Sequence, residues 1–173
     1  MTPLSLLTSG ILGITLALGN PSSVPFTLSR VDISQSLPAF QLRTLQGKPV
    51  HSDELAGRVL ILNFWATWCG PCKEEMPSLE RLRQKFSPDQ LAILAVTTDI
   101  HPREIEIFWQ QLELHFDVLL DEQEELSQAL MVRNLPTTVI VDTHGHLSQR
   151  IMGPREWDSP KSVSFIHNLL NPK

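Results

Sequence analysis

The sequence predicts an α/β fold with a central mixed sheet flanked by helices, a front β-hairpin and a helical insertion. Three observations predict it. Val59-Leu60-Ile61-Leu62-Asn63-Phe64-Trp65 is a short, largely apolar, partly β-branched run of the kind found in a buried strand. It hands over to a segment whose Met76, Leu79, Leu82 and Phe86 lie three, three and four residues apart, which marks one helical face. A second such run, Leu91 to Thr97, follows, and the chain closes on a hairpin pattern and an amphipathic segment. Two parallel strands crossed by helices, then a terminal hairpin and helix, give one layered domain.

Taken in order, the chain has no charged side chain from Met1 to Ser29, and Leu4 to Leu18 is largely Leu, Ile, Ala and Gly. That stretch is shorter than the about 20 residues a transmembrane helix needs. It has the length of a signal-peptide core, and Ala17-Leu18-Gly19 places small residues at a cleavage site, although no Lys or Arg precedes it. Residues 1–19 are therefore expected to be a signal peptide or an uncleaved signal anchor, contacting the membrane and directing export. Residues 20–37, rich in Pro and Ser, read as a linker, and 38–173 as the globular domain.

The domain opens with alternation at Pro38-Ala39-Phe40-Gln41-Leu42, a turn at Gln46-Gly47-Lys48 and a return through Pro49-Val50-His51, the pattern of a hairpin. Ser52 to Leu55 predicts a helical turn ended by Gly57. After the strands and helix above, Pro102 to Leu114 carries Ile105, Phe108, Trp109 and Leu112 on one face. Phe116 to Leu120 predicts a short strand, Glu122 to Met131 a helix, Val139–Val141 and Leu147–Met152 a hairpin, and Ser162 to Leu170 the last helix. The 42% hydrophobic content suits a single core. A net charge of −5 with no basic cluster excludes nucleic acid as a partner.

Only two cysteines occur, both in Trp68-Cys69-Gly70-Pro71-Cys72. So short a loop removes little unfolded-state entropy, so the pair makes a poor structural staple. Half a zinc site is the alternative, but no second Cys-x-x-Cys or Cys-His pair exists to complete it. Redox exchange remains: one thiolate attacks a partner's sulfur and the other resolves the mixed disulfide. The pair falls where a buried strand meets a helix. Gly70 is expected to permit the tight turn, and Pro71 is tolerated in the first helical turn. Cys69 then lies at a helix N-terminus, where unpaired N–H groups and the dipole favour a thiolate. Cys69 is the expected nucleophile, and Cys72, one turn deeper, the resolving thiol. No other cysteine is present to mispair, which fits an oxidising compartment.

Asn63-Phe64-Trp65-Ala66-Thr67-Trp68-Cys69-Gly70-Pro71-Cys72, continued by Lys73-Glu74-Glu75-Met76-Pro77 and supported by Leu135-Pro136-Thr137-Thr138, resembles the TlpA/ResA-type branch of the thioredoxin superfamily from about Pro38 to Leu170. The resemblance implies a thioredoxin fold and an extracytoplasmic thiol–disulfide oxidoreductase, secreted or membrane-anchored, in a periplasm or equivalent lumen. It implies protein disulfides as substrates, with apocytochrome c thiols as the leading use, and a membrane electron donor that resets the enzyme. No metal, nucleotide or organic cofactor is implied. The front hairpin and the helix around 102–114 match elaborations of this branch.

Within that resemblance Pro136 is expected to be cis and to lie beside the cysteines, with the Leu135 backbone pairing with substrate in a strand-like manner and its side chain joining the docking surface. The alternative is an ordinary trans proline opening a strand. Glu75 reads either as an acid complementing the helix dipole or, by resemblance, as a group that tunes the thiols and takes the proton of Cys72. Asn63 stands where cytosolic thioredoxins carry a buried aspartate, which makes Glu75 the more attractive proton acceptor.

Trp65 is expected in the core and Trp68 on an exposed apolar rim with Gly70 and Pro71. Pro77 is expected to kink the helix. His144 and His146 read as a hairpin tip rather than metal ligands. Asp121 to Glu125 reads as a solvated helix start, and Trp157 as a packing residue. Three other uses of the fold stand beside the reductase. They are a disulfide-donating oxidase, a thiol peroxidase of the peroxiredoxin type (which wants Thr where Ala66 stands), and a non-catalytic docking module.

Overall fold

The computed structural model describes residues 28–29, 35–99 and 101–172. The expected leader, 1–19, lies outside them. Among the described residues no helix is long and apolar enough to cross a membrane. In chain order the elements are β1 (Leu28–Ser29), β2 (Gln41–Thr44), β3 (Pro49–His51), a 3-10 turn (Ser52–Leu55), β4 (Val59–Trp65), α1 (Gly70–Arg83), β5 (Leu91–Thr97), α2 (Pro102–Gln111), β6 (Asp117–Leu120), α3 (Glu125–Ala129), β7 (Thr137–Val141), β8 (Leu147–Met152) and α4 (Pro160–Leu170).

One mixed sheet runs β1-β8-β7-β4-β5-β6-β2-β3. β4 pairs in parallel with β5, Val59 opposite Leu91 through Trp65 opposite Thr97, and antiparallel with β7, Phe64 opposite Thr137. β4 is buried along its whole length because both faces are covered. Val59, Ile61 and Trp65 join a core with α1, α2 and α4, whereas Leu60, Leu62 and Phe64 join one with Leu126 of α3 and with Val50 of the front hairpin. A strand buried on both faces reads as the continuous apolar run seen in the sequence. Asn63 interrupts that run on the α1 side, because it shares the face of Ile61 and Trp65.

Several boundaries shift. The front hairpin pairs from Gln41, not from Pro38. α1 begins at Gly70, and β7 begins at Thr137 immediately after Pro136. α2 stops at Gln111 because Glu113 takes a left-handed φ of 50° and Leu114 N–H bonds the Trp109 carbonyl. α3 is confined to Glu125–Ala129 by left-handed residues at both ends, Glu124 at φ 59° and Met131 at φ 51°. Asp121 corrects the solvated reading of its run: it is buried, and its carboxylate accepts from Leu126 N–H, Ser127 N–H and the Ser127 hydroxyl, capping α3. Within 20–37, Leu28–Ser29 pair with β8, Ser36 bridges His146 and Leu37 N–H bonds the Gly145 carbonyl. These residues thus lie along β8 and the tip of the β7–β8 hairpin, and the rest of 20–34 lies outside the described residues.

Candidate active site

Parallel pairing of β4 with β5 brings their C-terminal ends together, where α/β sheets place their sites. The loop leaving β4 is Ala66 to Cys69, and the loop leaving β5 carries Asp99. Its carboxylate accepts the Thr67 N–H at 2.6 Å, while Asp99 N–H is held by the Thr97 hydroxyl at 3.1 Å. The turn closes with Cys69 N–H on the Ala66 carbonyl at 3.1 Å. Trp68 is thrown outward, 75% exposed, whereas Trp65 is buried against Phe108 and Trp109 of α2, with ring centroids 5.4 and 5.0 Å away. The insertion helix thus buttresses the strand end that launches the loop. Lys73, in the first turn of α1, lies over the Phe108 ring.

Cys69 and Cys72 form a disulfide, with Cα atoms 5.3 Å apart. Cys69 is the N-cap of α1 in extended conformation, and its sulfur accepts the Cys72 N–H at 3.3 Å. Cys69 keeps 6% of its surface while Cys72 has none, so the outer sulfur is Cys69. Pro71 sits in the first turn as expected. Gly70 corrects its expected role: its φ is not positive and a Cβ there would meet nothing within 4 Å, so the turn does not need glycine. The Leu135–Pro136 peptide is cis. Thr137 opposite Phe64 puts Pro136 at the same sheet end as the cysteine loop. Pro136 is buried, its carbonyl accepts Gly153 N–H, and Leu135 is half-buried against both cores.

Glu75 is not a solvent-facing dipole partner. It lies on the α1 face with Cys72, Met76 and Leu79, 3% exposed. Its Oε1 accepts from Asn63 Nδ2 at 2.8 Å, and its Oε2 from Trp157 Nε1 at 2.8 Å and Arg155 N–H at 3.0 Å. Burial pushes the carboxyl up from its ordinary 4.5 to about 7, against the pull of Trp157, Asn63 and Arg155. Desolvation wins over three hydrogen bonds, which leaves an acid poised for proton transfer near neutral pH.

Three partners escaped sequence reasoning, the Arg155 N–H on Glu75 Oε2 among them. Trp157, expected only to pack, also donates to Glu75, and Thr138 accepts Asn63 Nδ2 at 2.9 Å. The stripe Cys72, Glu75, Met76, Leu79 at helical spacing was the available signal that Glu75 is buried. Nothing local links it to residues 80 positions later. Pro77 lies inside α1. His144 and His146 sit at the hairpin tip, where Asp142 accepts both their N–H groups. Among the described residues no three His, Cys, Asp or Glu side chains are arranged to hold a metal.

The model of the AhpC/TSA family matches residues 33–150. The chain is 32% identical over 148 residues to the thiol-disulfide oxidoreductase ResA of Bacillus cereus, covering 86% of this chain and 83% of that one. It is 35% identical over 114 residues to the thioredoxin-like protein YneN of Bacillus subtilis, covering 64% and 66%. Among solved structures it is similar to one assigned to DsbE, a thiol:disulfide interchange protein of Chlorobium tepidum. The TM-score there is 0.73 and the identity 26%, over 82% of this chain and all of that one. These likenesses agree with the thioredoxin fold traced above.

Proposed function

We propose that this chain, which belongs to the AhpC/TSA family and to its ResA-like thiol–disulfide oxidoreductases, works outside the cytoplasm as a protein-disulfide reductase. The observation that carries the reading is the Cys69–Cys72 pair at the α1 N-terminus, with the less buried Cys69 next to exposed Trp68 and the fully buried Cys72 on the α1 face that also carries Glu75. In the reduced enzyme the Cys69 thiolate attacks one sulfur of a protein disulfide, forming a mixed disulfide and releasing the other sulfur as a thiolate. Cys72 then gives its proton to Glu75 and attacks Cys69 Sγ. The Cys69–Cys72 bond forms as the bond to the partner breaks. Two electrons pass to the substrate, and a membrane electron donor returns them.

Trp68, Gly70, Pro71, Leu135 and Pro136 are the proposed docking surface. Exposed apolar area next to a reactive sulfur favours a partner that brings its own apolar residues. Apocytochrome c thiols are the proposed substrates, and the uncharged N-terminal stretch is the proposed export signal or anchor, with residues 38–173 as the catalytic domain. A second reading, peroxidase, draws on the AhpC/TSA match, but Ala66 gives no hydroxyl where that chemistry wants Thr.

Equilibration of the full chain in redox buffers tests the direction. A potential near or below that of thioredoxin, about −270 mV, supports the reductase, and one near that of DsbA, about −120 mV, replaces it with a disulfide donor. Cys72→Ser is expected to accumulate mixed disulfides through Cys69, whereas Cys69→Ser accumulates none.

A further inference from the structure

Glu75 is held by donors alone. The Arg155 N–H and the Trp157 indole N–H both point at Oε2 and neither has a lone pair to offer. They suit a carboxylate and leave no acceptor for a proton on that oxygen. Oε1 faces a different kind of neighbour. Asn63 spends both Nδ2 hydrogens, one on Oε1 and one on the Thr138 hydroxyl, while its Oδ1 is buried with no hydrogen-bond partner. A buried carbonyl oxygen without a partner loses its hydration with nothing in return and calls for an explanation.

The amide is the one facing group whose two ends exchange donor for acceptor by rotation about a single side-chain bond. Turned over, Oδ1 occupies the place of Nδ2, within hydrogen-bond reach of Oε1 and of the Thr138 hydroxyl. There it accepts a hydrogen bond from each, because a hydroxyl both donates and accepts. Thr138 is opposite Asn63 across the β4–β7 ladder, so backbone register holds it in place for both orientations.

We propose that the Asn63 side chain is a two-position partner of Glu75, donating through Nδ2 to the carboxylate and turning over to accept through Oδ1 when Glu75 carries a proton. Asn63 is then a positioning residue for proton transfer, resting on the reading of Glu75 as proton acceptor. When Cys72 gives up its proton and attacks Cys69 Sγ, that proton sits on Glu75 Oε1 and the turned amide holds it. Its release to solvent returns the amide. The groups facing Glu75 are neutral Asn63 from β4, itself bonded to neutral Thr138 of β7, and the Trp157 indole, the Arg155 N–H and the Arg155 guanidinium from the segment before α4. On α1 the Cys72 thiol joins them once reduced. Burial gives the carboxyl its midpoint near neutral pH, and Arg155 opposes that shift.

The oxidised full chain gives a clean test, because its cysteines do not titrate. Glu75 is followed by its 13C carboxyl signal and Asn63 by its 15N side-chain amide, assigned by its absence from Asn63→Leu. Both are expected to move together with one midpoint, near 7. Glu75→Gln supplies the second arm. Its carbonyl must face the two donors at Oε2, so its NH2 faces Asn63 and fixes the turned orientation, and the Asn63 signals should keep the acid-form position at every pH. If Glu75 titrates while Asn63 stays constant, or if Glu75→Gln leaves Asn63 in the alkaline form, the turning amide is wrong and the proton-acceptor reading survives. If Glu75 does not titrate between about pH 5 and 9, both fall.

Discussion

Glu75 and Glu80 share one helix and face opposite electrostatic fates. Glu75 is raised by burial from 4.5 to about 7, so the folded protein holds a proton that the unfolded chain has released across that interval. Stability is then fully present below about pH 4.5 and falls as pH rises to about 7, by roughly 3 kcal/mol at 1.36 kcal/mol per unit. Denaturant unfolding of the oxidised protein at pH 5 and pH 8 measures this, and Glu75→Gln should flatten the slope.

At Glu80 burial also pushes upward, but the Arg83 guanidinium, the His115 N–H and Gln84 hold the carboxyl below its ordinary value. Its contribution is present above about 4.5 and disappears as pH falls. Glu80→Gln should therefore weaken the protein at neutral pH and reduce acid sensitivity, read as a smaller difference in unfolding midpoint between pH 3 and pH 6. Gly70 supplies the contrasting residue-scale case. With open space above its Cα and an ordinary φ, Gly70→Ala is expected to be neutral or up to about 0.5 kcal/mol stabilising by thermal melt. A fall in the rate of substrate reduction by that variant would place the added methyl against the docked partner.

Among the elements, the loop between β4 and α1 depends on the neighbouring loop after β5. Asp99 supplies a charged acceptor to Thr67 N–H, and Thr97 anchors Asp99 in turn. Asp99→Ala should cost about 1.5 kcal/mol, a hydrogen bond to a charged group, seen as a lower denaturant midpoint at unchanged slope. The Cys69–Cys72 pair should then be reduced and reoxidised at altered rates, because its N-cap geometry begins from that loop. The aromatic face of α2 has the same kind of job. Phe108 and Trp109 were legible as a helical stripe, but their destination, the Trp65 ring, was not, because periodicity gives the face and not what covers it.

At the scale of the molecule, the strands differ in how well they are held. β7, β4 and β5 lie at the middle of the sheet, whereas β1 and β3 are its edges and β2 pairs with β6 only at Arg43 and Thr44. Hydrogen exchange should follow that order: amides of β4, β5 and β7 open last, near the global unfolding free energy, and those of β1, β2 and β3 first. The disulfide lies at the slow end of this hierarchy, at the C-terminal end of β4.

The sequence by itself determined the strand–helix order, the cysteine pair at the head of α1, the exposed Trp68 and the buried Trp65. Each follows from periodicity or from spacing along a few neighbouring residues. It also gave Pro136 the place from which β7 begins. Only the tertiary structure decided what Glu75 is. Its partners come from β4 and the segment before α4, with Thr138 of β7 holding Asn63 behind them, brought together by sheet register and by packing of α1 on the β4 face. Its acidity follows from the water they exclude. The same holds for Asp121, an acidic residue in an acidic run that becomes a buried cap, and for Gly70, whose freedom the turn does not use. Local pattern sets which groups are present. Desolvation and donor–acceptor matching act between groups distant in the chain, so the chemistry of a buried carboxylate becomes readable only once the fold has assembled around it.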